Sequence, residues 1–248
     1  MNRTIFCVSM ISAYVFLSGC DSKSNTHEAA DQAAAESIAE FSKKNTDRIA
    51  DEIKSEGVYM PESTDSIDEF VGLVEETSKN VSPELAAELE SQASILVEFK
   101  AMMGPFLSVN NELINLGGID ASTLGSIEDV DNRIAMIEQL YEMNEMIDLR
   151  FSVLFKQING ADSPEGKQQL AMAKEMRATN REAYPHMKES LQIVKKYWET
   201  SGNADDGKFY FGDDVPKDVV EAYNNHLAAV DAVGVRQSEI QRKYYKVP

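Results

Sequence analysis

Cysteine and basic residues are scarce in this 248-residue chain, and each scarcity excludes a class of function. The two cysteines are Cys7 and Cys20, so the chain beyond residue 20 can form no disulfide and holds no thiol nucleophile. Acidic residues outnumber basic ones by 42 to 24, and the net charge of −18 argues against a nucleic-acid partner. The complete sequence motifs of phosphate-binding loops, dinucleotide-binding folds and serine hydrolases are absent as well.

The first 21 residues have the layout of a secretory signal sequence. Arg3 supplies one positive charge, residues 5–17 contain no charged side chain, and polar residues follow Cys20 at once. A membrane-spanning helix needs about 20 apolar residues, so this run is short for a permanent span. We therefore expect residues 1–19 to be a cleaved signal peptide.

Four residues at the end of that run, Leu17, Ser18, Gly19 and Cys20, resemble the lipobox of bacterial lipoproteins. The resemblance implies that Cys20 receives a diacylglycerol group and a further acyl chain, and that the lipoprotein signal peptidase recognises the preceding three residues. Asp21 resembles the signal that retains such proteins in the inner membrane, although other bacteria read other positions and the outer membrane remains an alternative. The implied location is the cell envelope, with the protein held by lipid and facing the periplasm.

Helical periodicity dominates everything that follows a short polar tether at residues 20–26. Apolar residues recur at steps of three and four along segments that are too long for a compact globule unless they lie side by side. This pattern predicts an all-α fold, an elongated antiparallel bundle of long helices in one domain, residues 27–248. We also expect a bend at Gly104 and Pro105, and a second proline, Pro185, lies inside a later predicted helix.

Helix starts are marked by serines that precede acidic residues or proline. The pattern predicts starts at Ser66, Ser82, Ser126 and Ser163. The segment 208–211 alone resembles a strand. It is compatible with a small hairpin or with aromatic residues laid over the end of the bundle, and we favour the second.

Candidate metal sites are few and have simpler explanations. Helical spacing brings His186 near Glu182 and Glu189, but a surface histidine beside solvated carboxylates explains the pattern as well. The acidic loop at residues 203–214 suggests calcium, yet its register does not fit the standard binding loop. We therefore predict no metal, no other cofactor and no catalytic residues.

Three further features have a structural and a functional interpretation. Asn144 interrupts an apolar stripe, and it fixes helix register or marks a ligand pocket, with register favoured. The 11 methionines fill the core or line a groove for partner helices, and the core is favoured. Tyr244 and Tyr245, beside Arg242 and Lys243, either contact a membrane or partner or simply end a helix with favourable charges.

The order of these features faintly resembles uncharacterised helical lipoproteins of bacteria, through Phe211, Pro216, Tyr223 and Asn224, and this resemblance implies no function. We predict a non-catalytic lipoprotein whose helical domain binds a protein or another envelope component. The alternative is an inhibitor or immunity lipoprotein that neutralises a basic toxin or hydrolase through its acidic surface. A hydrolase whose carboxylates converge only in three dimensions is a third hypothesis.

Overall fold

The computed structural model describes residues 27–158, 161–203 and 209–247. Helices account for most of them, which confirms the predicted all-α bundle. The helices are α1 (Glu28–Glu56), α2 (Asp65–Thr77), α3 (Pro83–Asn115), α4 (Ile127–Phe155), α5 (Pro164–Lys196) and α6 (Lys217–Tyr245), and the strands are β1 (Ser201–Asn203) and β2 (Phe209–Phe211).

The helices α3, α4 and α5 form the centre of the bundle, where α3 and α5 each run antiparallel to α4. Aromatic contacts mark their interfaces, with Phe99 against Phe151 between α3 and α4 and Tyr141 against Tyr184 between α4 and α5. The helix α2 packs on α3, α6 packs on α5, and α1 contacts both α2 and α6. Because α3 and α5 have 33 residues each, they are about 50 Å long, as expected for an elongated bundle.

Three of the four predicted helix starts are confirmed by side-chain caps. The hydroxyls of Ser82, Ser126 and Ser163 accept hydrogen bonds from backbone N–H groups in the first turns of α3, α4 and α5, at 3.4, 3.1 and 3.0 Å. Each cap satisfies an amide that has no partner inside its helix. The internal prolines of α3 and α5 lie within these helices and do not end them.

The short helix predicted from about Ser66 is present, but the capping role predicted for Ser66 is wrong. The helix α2 begins at Asp65 after Thr64, so Ser66 lies inside its first turn and caps nothing. The hydroxyl of Ser63 accepts from the N–H of Asp65 at 3.3 Å instead. The Ser-x-x-Glu pattern therefore misplaced the N-cap by two residues, because neighbouring hydroxyls compete for the same amides.

This difference between the serines leads to a stability prediction. We expect Ser126→Ala to lower the free energy of unfolding by about 1 kcal/mol, because it leaves an amide of α4 without its partner. The matched change Ser66→Ala should have an effect of less than about 0.5 kcal/mol. Urea unfolding followed by circular dichroism would measure both, and equal losses would contradict the assignment of the caps.

The interpretation we favoured for residues 208–211 was incomplete, because a hairpin does form. The strands β1 and β2 pair antiparallel, with Ser201 opposite Phe211 and Asn203 opposite Phe209. The aromatic residues of β2 also lie over the bundle, where Phe209 and Phe211 contact Tyr223 of α6. Both alternatives are realised because a two-stranded hairpin needs an apolar surface beneath it to be stable.

The apolar stripes predicted for the helices are largely buried, with two errors at their edges. Leu116 and Tyr141 continue the three- and four-residue spacing of the apolar stripes in the sequence, but they are exposed by 43% and 37%. Leu116 follows the last residue of α3, and Tyr141 lies at the rim of the α4–α5 interface. Within the described ranges, no helix is both long and apolar enough to cross a membrane.

Candidate functional site

The residues predicted for lipid attachment lie outside the described part of the chain. These are Leu17, Ser18, Gly19, Cys20 and Asp21, whereas the first described residue is His27. The lipobox therefore remains a prediction from the sequence.

The histidine considered for a metal site has a different partner from the one the sequence suggested. The Nδ1 atom of His186 lies 3.0 Å from Nδ1 of His226 on α6. Glu182 forms an ion pair with Arg236, at 2.6 Å between Oε1 and Nη2. Among the described residues, no group of three or more His, Cys, Asp or Glu side chains converges on a possible metal position.

The acidic loop at residues 203–214 is described only at its ends. Asn203 donates from Nδ2 to the carbonyl of Ser122 at 3.0 Å, and Asp213 and Asp214 are exposed in the turn before α6. Residues 202–208 match the first seven positions of a phosphate-binding loop, but Phe209 stands where Ser or Thr is required. The segment joins two antiparallel strands, whereas a phosphate-binding loop leads from a strand into a helix.

The position of Asn144 favours the register interpretation. Its side chain is 1% exposed, and Nδ2 donates to the backbone carbonyl of Arg177 on α5 at 3.5 Å. An amide that crosses a buried interface and pairs with one backbone carbonyl disfavours sliding of α4 along α5, since any other register leaves it unpaired.

The methionines divide between the core and the surface. Met103, Met172, Met176 and Met187 are buried, which agrees with the favoured interpretation, whereas Met146 is 56% exposed.

The aromatic tail of α6 packs against α5. The hydroxyl of Tyr244 donates to Oε1 of Glu175 at 2.9 Å, and burial together with this hydrogen bond raises the pKa of Tyr244 to about 12. The ammonium of Lys243 lies over the Tyr244 ring and 3.7 Å from the same carboxylate. Tyr244 and Lys243 are therefore engaged with each other and with α5, which favours the structural interpretation of the tail.

An exposed apolar surface on α4 is the most unusual feature of the described chain. Met146, Leu149 and Val153 are 56%, 77% and 60% exposed, and we call them the α4 outer stripe. At spacings of three and four residues they share one side of the helix, opposite the buried side that carries Asn144 and Phe151. Isolated exposed apolar residues are ordinary, but a contiguous row is typical of a contact surface.

Charged residues around this stripe are arranged unevenly. Arg150 and Lys156 are exposed on α4, and neither forms an ion pair with another described residue. The acidic neighbours Glu145 and Asp148 bind arginines of α5, at 2.5 Å and 2.7 Å. The stripe is thus bordered by charges of both signs, since Glu142, one turn before Met146, is also exposed and forms no ion pair with another described residue.

Burial and ion pairing have opposite effects on the pKa values of Arg177 and Asp148. Burial lowers the pKa of Arg177, although Asp148 opposes this effect. Burial raises the pKa of Asp148, but hydrogen bonds from Arg177 and Arg181 outweigh it, so the pKa of this carboxyl lies below its usual value. Asp148 therefore stays ionised and committed to α5 at neutral pH.

Comparison with known proteins adds no functional information. No family model, curated protein or solved structure matches this chain. The faint likeness at Phe211, Pro216, Tyr223 and Asn224 gains no support from a relative, and Phe211 and Tyr223 have a local role as packing partners.

Sequence reasoning missed both the stripe and the histidine pair. The stripe had a visible signal, since Met146, Leu149 and Val153 occupy the side of α4 that the predicted core leaves free. The histidine pair had none, because its members are 40 residues apart and meet only when α6 folds back on α5.

Proposed function

We propose that this protein is a lipid-anchored lipoprotein of the bacterial envelope and that its helical domain binds a protein or another envelope component through the α4 outer stripe. The exposure of Met146, Leu149 and Val153 is the observation that supports a binding role. Burial of such a row on contact contributes roughly 25 cal/mol for each Å² removed from water.

An anchor at Cys20 would act on the stripe through the rest of the bundle. The start of α1 lies beside the start of α3, where Asp31 accepts a hydrogen bond from the N–H of Ser82 at 2.8 Å. The first turns of α3 lie near the end of α4, since Gln92 contacts the carbonyl of Gln157. The stripe lies further from this end, level with the middle of α3, since Phe151 of the same part of α4 contacts Phe99. A lipid at Cys20 would hold the whole domain near the membrane and so raise the effective concentration of the stripe for partners there.

The binding role is tested with a photoreactive amino acid placed at single positions in living cells. A probe at Leu149 or Val153 should give the same crosslinked product, because both lie on one surface. A probe at Val235 is the matched control, since this residue of α6 is 59% exposed and lies on another face.

The product from position 149 should also fall at least about fivefold when Met146 and Val153 are both replaced by Ser, because the apolar contact is removed. Identical products from positions 149 and 235, or a product that is unaffected by the double substitution, would contradict binding through the stripe.

A second surface favours the alternative function, neutralisation of a basic protein. Residues 62–98 contain ten acidic side chains and a single Lys, and most of the acidic ones are exposed on α2 and the first half of α3. Within this range Asp68 is paired with Lys100 at 2.6 Å. Contact through this surface would be strongly weakened by salt, whereas contact through the apolar stripe would not. The salt dependence of crosslinking therefore distinguishes the two functions.

A further inference from the structure

The contact between His186 and His226 is a direct hydrogen bond between two imidazoles on different helices. The two Nδ1 atoms are 3.0 Å apart, and the ring centres are 5.3 Å apart. The distance between the ring centres is about the distance between the two nitrogens plus the separation of each nitrogen from its own ring centre. Each ring therefore points its Nδ1 directly at the other ring. A metal ion held by both nitrogens would instead require the two rings to point at a common third position.

Such a contact depends on the number of protons that the pair carries. One Nδ1 must donate and the other must accept, which a neutral pair or a singly protonated pair can do. When both imidazoles are protonated, both Nδ1 atoms are donors and two positive charges face each other. The geometry therefore accommodates one added proton but not two.

Other charged groups near the pair are few. Glu182 and Glu189 lie one helical turn from His186 on α5, and Glu182 is already paired with Arg236. On α6 the residues one turn from His226 carry no charge, and they are Ala222, Tyr223, Ala229 and Val230. Of these carboxylates, only that of Glu189 forms no ion pair with a described residue. A single carboxylate cannot neutralise two imidazolium groups.

The pair also lies between other contacts that hold α6 on α5. Towards the C-terminus of α6, Gln237 donates to Thr179 and Asn180 at 3.1 and 2.7 Å. Towards its N-terminus, Tyr223 packs against the hairpin. Loss of the histidine contact would therefore weaken the middle of this interface, where the buried Val230 and Val233 also hold α6, and leave both ends attached.

We propose that the His186–His226 pair is a pH-responsive contact, which holds α6 against α5 while one imidazole is neutral and releases the middle of α6 when both become protonated. An open state, in which the two rings are apart, has room for one more proton than the closed pair, so a fall in pH favours opening.

Hydrogen exchange of α6 amides at pH 7.5 and pH 5.0, measured on the full chain in detergent, tests this proposal. After correction for intrinsic exchange, protection of residues 226–233 should fall about tenfold at the lower pH, whereas protection of the α4 core should change little. A constant protection factor in the wild-type chain would overturn the proposal.

Two substitutions separate proton binding from packing. In His226→Asn the amide replaces Nδ1 and can either donate to or accept from His186 in both protonation states, so the fall in protection should shrink to less than about twofold. His186→Asn should behave in the same way, which guards against one variant failing to fold. His27→Asn is the control and should keep the full wild-type response, because His27 precedes α1 and is exposed. An undiminished response in both interface variants would also overturn the proposal.

Discussion

Replacing Cys20 with Ser is expected to abolish acylation and to leave residues 1–19 attached to the chain. The hydroxyl of serine is not a substrate for diacylglycerol transfer, and the resemblance to a lipobox implies that cleavage follows this transfer. Each buried methylene of an acyl chain contributes about 0.8 kcal/mol, and two or more chains are needed for stable anchoring. We therefore expect complete loss of labelled palmitate from the protein and accumulation of the longer precursor.

Cys7→Ser is the matched control, because it removes the other cysteine of the chain and lies within the predicted signal peptide. It should leave palmitate labelling and processing unchanged. Mass spectrometry of the N-terminal peptide and fractionation of membranes would measure both variants. Processing and membrane recovery that are the same in Cys20→Ser as in the wild type would contradict the lipid anchor.

The fold was predictable because its determinants are local. Apolar residues spaced by three and four, with Ser82, Ser126 and Ser163 at the starts, define where α3, α4 and α5 lie along the sequence. The errors arose where several groups compete for one role. At the start of α2, Ser63, Thr64 and Ser66 are all suitable near a cap, and sequence alone does not rank them.

The candidate sites were less predictable because they depend on which helix faces are left uncovered. Leu149 and Val153 are apolar, and a rule that places apolar residues in the core assigns them wrongly when no neighbouring helix covers them. The contact of His186 with His226 requires α6 to pack on α5 in one register. That register is fixed by buried polar residues such as Gln237, which a search for apolar periodicity does not weigh.

The ring of Phe151 on α4 contacts both α3 and α5. Phe151 is 1% exposed and contacts the rings of Phe99 and Phe155, each at 5.6 Å between centres. The guanidinium carbon of Arg177 lies 4.1 Å from the centre of the same ring. The Nη2 atom of Arg177 is buried and has no hydrogen-bond partner among the described residues, so the ring supplies its main favourable contact on that side.

Phe151→Ala is therefore expected to lower the free energy of unfolding by about 3 to 5 kcal/mol, because it opens a cavity and removes the surface on which the guanidinium rests. Phe151→Leu keeps most of the apolar volume and should cost about 1 to 2 kcal/mol. Leu149→Ala is the matched control on the opposite side of α4, and a change of less than about 0.5 kcal/mol is expected because Leu149 packs against little. Urea unfolding would measure all three. If the loss for Leu149→Ala equalled that for Phe151→Ala, the stripe would be part of the folded core, and both the assignment of faces on α4 and the proposed binding surface would be wrong.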